Sequence, residues 1–264
     1  MRLVFRGVRG STPAPGADFV RYGGHTSCVT VAHDAAGPPA LILDAGTGIR
    51  TVSPGSAFHG SILLSHLHWD HMQGIPFFAA GDRPDARVEV LMPAEAGRSG
   101  RDLMAQAMSP PAFPITPEGL QGAWSFRAIE PGVLRVQGFD LTAFEVAHKG
   151  GRAFGYRVQD AGAAVAYVPD HAPWEGVGDP ALTAMAGADV LIHDAQFLDR
   201  EAARAHDYGH ATITEALDLA RRVGVGRLVL YHHGPARADD ALDRIATEHP
   251  EVVVAHEGLV LDLP

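Results

Sequence analysis

The 264-residue sequence is almost free of cysteine and has no long apolar run. Cys28 is the only cysteine, so neither an intrachain disulfide nor a thiolate zinc site can form. No apolar stretch approaches the roughly 18 residues that a membrane-spanning helix needs, and the N-terminal run LVF is too short for a signal peptide. We therefore expect a cytoplasmic protein with no membrane partner.

Positive charge is also scarce. The chain has 21 Lys and Arg residues against 31 Asp and Glu, which gives a net charge of −10. No basic block stands out, so the electrostatic signature of a nucleic-acid-binding protein is missing. This balance disfavours a nucleic-acid partner, although bound metal ions can reverse the local sign and admit a phosphate.

The residue pattern predicts a chain of short strands followed by alternating strands and helices. The predicted strands are 3–5, 28–33, 40–46, 61–66, 87–93, 133–148, 153–158, 163–170, 188–197, 227–233 and a closing pair in 251–263. The predicted helices lie near 73–80, at 212–224 and at 239–249, the second opened by a capping box of Thr212 and Glu215. The proline-containing segment 94–131 is predicted to be a flap or insertion near the site, with a linker as the alternative. Together these elements favour a sheet-on-sheet sandwich flanked by helices.

Directly behind the strand at 61–66, the sequence concentrates possible metal ligands. His66, His68, Asp70 and His71 fall within six positions. The two histidines spaced by two on an extended segment point to the same side, and the other two residues can face that space after a turn. Nitrogen and carboxylate ligands suit zinc, with manganese or iron as alternatives, and four ligands so close together favour two adjacent ions. A solvated histidine-rich loop is the alternative, which the preceding buried strand disfavours.

The run His66-x-His68-x-Asp70-His71 resembles the signature of the metallo-β-lactamase superfamily, and later motifs follow in the expected order over nearly the whole chain. The resemblance implies an α/β fold, the αββα sandwich of two mixed β-sheets flanked by helices, as a single domain over residues 1–264. It implies two divalent metal ions, bridged by Asp170. The expected ligands are His66, His68 and His148 for one ion, and Asp70, His71 and His232 for the other.

Two further stretches, IHDAQF and GHATITEALDLA, are similar to ribonuclease Z and the related small cyclic phosphodiesterases. By that resemblance His210 stabilises the reacting phosphate or protonates the leaving group, and Asp194 orients it. Asp70 could take the proton of the nucleophile while it still binds metal. The alternatives are that His210 only begins a helix and that Asp194 only fixes a strand end. The resemblance also allows a homodimer.

Several neighbours of these residues are assigned weaker roles. Asp44, in LILDAGTG, is expected to fix a ligand histidine through its second ring nitrogen. Trp69 could stack on a base, with plain packing as the alternative. The sequence leaves open whether His25 and His233 take part in the site.

Two ions a few ångströms apart can lower the pKa of a shared water, and the resulting metal-bound hydroxide can attack phosphorus. We therefore expect a dinuclear phosphodiesterase acting on a small phosphodiester or nucleotide, which can be cyclic. The alternatives are an RNA 3′-processing endonuclease, a lactone or thioester hydrolase, an iron redox protein and a non-catalytic nucleotide sensor. The chain lacks the basic arm with which ribonuclease Z grips tRNA, which counts against a tRNA substrate.

Overall fold

The computed structural model describes residues 1–52 and 55–264. Their strands form two seven-stranded sheets. The strands are β1 (Arg2–Gly7), β2 (Cys28–Ala32), β3 (Leu41–Leu43), β4 (His59–Leu63), β5 (Arg87–Pro93), β6 (Ala123–Ile129), β7 (Gly132–Val136), β8 (Phe139–Val146), β9 (Ala153–Asp160), β10 (Ala163–Val168), β11 (Val190–Asp194), β12 (Arg227–Tyr231), β13 (Val253–Val254) and β14 (Val260–Asp262).

Both sheets are mixed. The first has the order β14-β1-β2-β3-β4-β5-β6, antiparallel from β14 to β3 and parallel from β3 to β6. The second has the order β13-β12-β11-β10-β9-β8-β7, antiparallel from β7 to β10 and parallel from β10 to β13. The predicted pair of mixed sheets is confirmed.

The inner faces of the two sheets meet in one apolar core. Because successive side chains alternate across a strand, each strand sends every second residue into this core. Leu3 and Phe5 enter it from the first sheet, and Tyr156, Tyr167 and Tyr231 enter it from the second. All five are fully buried, and burying a large apolar side chain contributes about 1.5–3 kcal/mol.

The helices cover the outer faces and complete the αββα sandwich. They are α1 (Trp69–Met72), α2 (Gly100–Ala107), α3 (Asp179–Met185), α4 (Ala202–Tyr208), α5 (Ile213–Val223) and α6 (Asp239–Glu248). Helices α3, α5 and α6 pack on the second sheet, whereas α1 and α2 pack on the first. Helix α5 begins with the predicted capping box of Thr212 and Glu215 and ends at Gly224, whose φ is 64°. None of the described helices is long and apolar enough to cross a membrane, and the cytoplasmic location stays a prediction.

Three sequence-based predictions differ from the structure. The single strand predicted at 133–148 is a hairpin of β7 and β8, because the chain turns at Gln137 and Gly138 with φ of 51° and 88°. The strands predicted as a closing pair do not pair with each other, because β13 joins β12 in the second sheet and β14 joins β1 in the first. The chain crosses between the sheets at Gly258, whose φ is 82°. The helix predicted near 73–80 is replaced by α1 and a short 3-10 turn at Ile75–Phe77, since Gly74 and Pro76 interrupt a longer helix.

The segment 94–131 is part of the sandwich. Helix α2 packs on the first sheet through Leu103 and Met104, and β6 pairs with β5 at the edge of that sheet. Phe113 meets Phe77, just after α1, at a ring-centre distance of 6.0 Å. The segment therefore lies beside the loop that carries the histidine cluster, and its action as a flap stays a prediction.

Candidate metal centre

The seven predicted ligands all follow the carboxyl ends of strands. The cluster His66–His71 follows β4, and the other three follow β8, β10 and β12 as His148, Asp170 and His232. Parallel neighbours such as β10, β11 and β12 end at the same edge of a sheet, so residues far apart in the sequence converge there. At this edge the structure brings the seven side chains together in two groups whose donor atoms lie within 4.8 Å of one another: His66, His68, His148 and Asp170 in one, and Asp70, His71 and His232 in the other.

Asp170 faces the histidines of its own group with one oxygen and those of the other group with the second oxygen. Its Oδ1 is 3.1 Å from Nε2 of His71 and 3.2 Å from Nε2 of His232. Its Oδ2 is 3.5 Å from Nε2 of His148 and 3.7 Å from Nε2 of His66. A carboxylate in this position can bind one cation with each oxygen.

Hydrogen bonds orient three of the imidazoles, and one of these bonds joins Nδ1 of His66 to Ser65 Oγ at 3.0 Å. Nδ1 of His71 donates to Asp44 Oδ2 at 2.7 Å, and Nδ1 of His148 donates to the Gly209 carbonyl oxygen at 2.7 Å. Both bonds leave Nε2 as the atom that faces the centre, the arrangement in which a histidine binds metal. The geometry of Asp44 agrees with the role expected for it. It also accepts hydrogen bonds from the Ser65 amide, the Ser65 hydroxyl and the Tyr167 hydroxyl.

The centre contains several buried carboxylates that no Lys or Arg of the described residues neutralises. Asp44, Asp70 and Asp170 are buried, and within residues 1–52 and 55–264 their ion-pair partners are histidines, with no Lys or Arg among them. Burial by itself lowers the pKa of His71, but Asp170, Asp70 and Asp44 together hold that pKa well above its ordinary value. Buried carboxylates in such excess need a cation, and a divalent metal ion can supply it.

Two of the expected metal-ligand atoms are among the buried side-chain atoms that have no hydrogen-bond partner in the described part of the chain. They are Nε2 of His66 and Oδ1 of Asp170, both buried. Unsatisfied buried polar atoms are costly, so their orientation toward one shared space fits ligation of a metal ion. The residues present therefore suit divalent cations.

His210 and Asp194 form a hydrogen-bonded pair beside the centre. Nδ1 of His210 donates to Asp194 Oδ2 at 2.8 Å, and Asp194 also accepts from the Gln196 amide at 2.9 Å and the His171 amide at 3.1 Å. Burial lowers the pKa of His210, but Asp194 and two further carboxylates outweigh it and raise that pKa to about 9. The His210 ring centre lies 5.2 Å from that of His232, so the imidazole stands at the edge of the centre.

Three residues near the centre were not singled out from the sequence. The Ser11 amide donates to Asp70 Oδ2 at 2.6 Å, from a backbone with φ of 64°. Ser65 bonds Asp44 as described above, and His171 is fully buried with Nδ1 2.9 Å from Nε2 of His193. The available signal was adjacency, because Ser65 precedes the histidine cluster and His171 follows Asp170.

The residues left open by the sequence fall outside the two groups. Nδ1 of His25 is 3.2 Å from Thr47 Oγ1, and Nε2 of His233 donates to the Ala255 carbonyl oxygen at 2.8 Å. Both contacts join loops to neighbouring segments. Trp69 is 73% exposed at the rim of the centre.

Comparison with known proteins identifies the class. A family model described as "Beta-lactamase superfamily domain" matches residues 41–233, and the chain belongs to this superfamily. Within it the chain falls in the ribonuclease Z-like branch and is a metal-dependent hydrolase. Ribonuclease Z of Natronomonas pharaonis is 26% identical, in an alignment that covers 100% of this chain and 98% of that protein.

Solved structures support the fold. The short form of human tRNase Z superposes with a TM-score of 0.68 at 21% identity, covering 100% of both chains. Zn²⁺-bound PqqB of Methylobacterium extorquens superposes with a TM-score of 0.73 at 21% identity, also covering 100% of both chains. At this level of identity the structures confirm the αββα fold that the sequence predicted.

Proposed function

We propose that this chain is a dinuclear metal-dependent phosphodiesterase. The dinuclear assignment is supported by Asp170, whose two oxygens face two separate groups of ligand atoms. The proposed ligands are His66, His68 and His148 for one ion, and Asp70, His71 and His232 for the other, with Asp170 shared. When bound, two divalent ions, with zinc as the first candidate and manganese or iron as alternatives, would lower the pKa of a water and offset phosphate charge.

The observation that carries the reaction type is the pair of His210 and Asp194. Asp194 holds Nδ1 of the imidazole, which leaves Nε2 to give a proton to the leaving oxygen or to bind a phosphoryl oxygen. Asp70 can accept the proton of the attacking water, and the Ser11 amide fixes its Oδ2. A diester with a poor leaving group gains from such an acid, whose contribution is about 10²–10⁴-fold.

Two substrate classes are candidates. The names of the relatives, ribonuclease Z and tRNase Z, favour an RNA 3′-processing endonuclease, whereas the charge balance of the sequence disfavours a nucleic-acid partner. A small phosphodiester is the second candidate, because a chain with a net charge of −10 repels a long polyanion such as RNA. In addition, the alignment to the Natronomonas relative is 321 positions long against 264 residues here, so that relative has segments without a counterpart in this chain.

A turnover panel tests both candidates. The purified protein would be stripped with a chelator and reloaded with zinc or manganese. It would then be offered a precursor tRNA, 2′,3′- and 3′,5′-cyclic nucleotides, a ribose cyclic phosphate and a simple lactone. Metal-dependent cleavage of a phosphodiester supports the proposal, and the substrate cleaved identifies the class. Turnover of the lactone alone, or of nothing despite bound metal, would reject it.

Variants separate the metal centre from the proton donor. Asp70→Ala should abolish turnover and reduce bound metal. His210→Gln should keep its metal and lose about 10²–10⁴-fold in phosphodiester turnover, while ester hydrolysis changes little. His59→Gln is the matched control, because His59 is an exposed histidine that bonds only the Asp85 carbonyl oxygen among the described residues. Equal losses on phosphodiesters and esters in His210→Gln would contradict the assigned role.

A further inference from the structure

A cavity of about 420 Å³ opens beside His210. Its walls come from the loop after β1, the segment after β11, helix α4 and the loop after β12, through Ser11, Phe197, Tyr208 and Arg237. His210 lines the cavity as well, so a molecule bound in the cavity would contact the imidazole. We call this space the leaving-group cavity, because the leaving group of a substrate served by His210 would extend into it.

The leaving-group cavity carries one uncompensated positive charge. Arg237 is paired with Glu201 at 2.5 Å, and both residues line the cavity. Arg204 also lines it and is exposed, and no carboxylate in residues 1–52 and 55–264 lies within ion-pair distance of its guanidinium. In a chain of net charge −10, a free guanidinium at the wall of the cavity favours an anionic ligand.

Aromatic rings hold this guanidinium near His210. The central carbon of Arg204 lies 6.0 Å from the ring centre of Phe197 and 5.7 Å from that of Tyr208. The Phe197 ring in turn lies 5.9 Å from the ring of His210. One aromatic ring therefore separates the cation from the proposed proton donor, and stacking limits the guanidinium to a few orientations.

The position of His210 determines which part of a substrate would enter the leaving-group cavity. Attack on phosphorus proceeds in line, so the leaving oxygen lies opposite the attacking oxygen. If His210 serves the leaving oxygen, the group attached to that oxygen extends away from the metal ligands and into the leaving-group cavity. An arginine there is suited to a phosphate, which its planar fork binds through two hydrogen bonds. The Tyr208 ring, 55% exposed, offers a face on which a base can stack.

We propose that Arg204 binds a second phosphate, carried by the leaving group of the diester, and thereby selects nucleotide leaving groups over uncharged ones. This inference rests on the proposed function, since it assumes that the centre cleaves phosphodiesters. The second phosphate can be a terminal monoester or the next phosphodiester of a strand, and both present the same oxygens to the arginine.

The test compares four substrates, two whose leaving group carries a phosphate and two whose leaving group carries none. Bis(p-nitrophenyl) phosphate and UpU have no phosphate on the leaving group, pUpUp has a terminal phosphate whichever P–O bond breaks, and UpUpUpU has a backbone phosphate. Arg204→Gln should lower kcat/KM about tenfold or more on the phosphate-bearing substrates, chiefly through KM, and leave the other two within about twofold. Arg204→Lys should recover part of the loss, because it restores the charge without the fork.

The matched control is Arg222→Gln, which makes the same change at an exposed arginine of α5 outside the cavity. A loss on pUpUp alone identifies a terminal phosphate, and a loss on UpUpUpU as well identifies a backbone phosphate. Equal losses on all four substrates, or none on any, overturn the role of Arg204. A wild-type protein that cleaves none of these four substrates overturns the inference about Arg204, whereas the proposed function is rejected only if the panel of cyclic phosphodiesters and precursor tRNA also shows no metal-dependent cleavage.

Discussion

Asp44→Asn tests whether the buried network behind the ligands controls the metal centre. Asp44 is fully buried and binds no metal in the proposed scheme. Its Oδ2 accepts from Nδ1 of His71 at 2.7 Å, from the Ser65 hydroxyl at 2.8 Å and from the Tyr167 hydroxyl at 2.7 Å. Its Oδ1 accepts from the Ser65 amide at 2.7 Å. Asparagine has the same shape, so the substitution changes charge and hydrogen bonding without creating a cavity.

The magnitude follows from these four bonds. An asparagine can keep its oxygen toward the three donors on one side, but its NH₂ then faces the Ser65 amide, and one buried donor loses its acceptor. Such a loss costs about 1–3 kcal/mol of folding stability. The remaining bond to His71 is no longer charge-assisted, so its Nε2 becomes a weaker ligand. Outer contacts of this kind are worth about 10–100-fold in metal affinity.

The assay is competition for zinc against a chromophoric chelator, with urea unfolding of the chelated protein measured beside it. Tyr156→Phe is the control, because its hydroxyl also makes one buried bond, 2.7 Å to the Leu64 carbonyl oxygen, but does not touch Asp44. We expect both variants to lose stability and only Asp44→Asn to lose affinity. His71→Ala is a second reference variant and should lose one ion. If it does, and Asp44→Asn nevertheless binds zinc as tightly as the wild type, the orienting role of Asp44 is refuted.

Three further changes have defined outcomes. Gly10→Ala should weaken metal binding about tenfold or more, because a Cβ there would overlap the His232 ring. Thr212→Ala should cost about 1 kcal/mol in urea unfolding, because the hydroxyl accepts the amide hydrogen of the third residue of α5. His33→Gln should cost less than about 1 kcal/mol, because the ion pair of His33 with Asp160 is partly exposed. The hydrogen bond to Asp160 raises the pKa of His33 in the folded state. The stability lost in His33→Gln should therefore have its full value below pH 6.5 and should disappear as the pH rises through the folded-state pKa.

Each of these predictions has its own control. Gly178→Ala places a Cβ at an ordinary contact distance, 3.7 Å from Pro180, and should leave metal binding unchanged. Thr247→Ala removes an exposed threonine hydroxyl inside α6, and should cost less than the cap at Thr212. A stability difference for His33→Gln that is constant from pH 6 to pH 9 would contradict the assigned linkage.

The sequence was sufficient for the layer order of the fold because local pattern and global packing agree there. The capping box at Thr212 and the glycine at 224 delimit α5 in both sequence and structure. The sequence-based predictions fail where tertiary contacts determine the secondary structure and the strand pairing. Strand β6 alternates between exposed and half-buried residues at a sheet edge, and its pairing with β5 gives no strong local signal. The sequence of the final segment predicts a pair of strands. Only the structure shows that each strand joins the edge of a different sheet, β13 beside β12 and β14 beside β1.

For the site, spacing could indicate the cluster at His66–His71 but could not supply the rest without a family resemblance. His148 and Asp170 lie far along the chain and meet the cluster only because their strands end at the same edge. Arg204 shows the limit more clearly. In the sequence nothing distinguishes it from the other arginines. In the structure no carboxylate of residues 1–52 and 55–264 lies within ion-pair distance of it, and its guanidinium lies over aromatic rings near His210.

The hydrogen-bond network also explains why the ligands can be so widely scattered along the chain and still hold a fixed geometry. Asp44 ends the β3 segment, Ser65 precedes the histidine cluster, and Tyr167 lies on β10 of the opposite sheet. Their mutual bonds join the two sheets at the edge where the ligands emerge. A shift of one sheet against the other would break these bonds and would also separate His71 from Asp170. The inter-sheet core and the metal centre should therefore lose order together, and chelation should lower the unfolding midpoint of the whole sandwich.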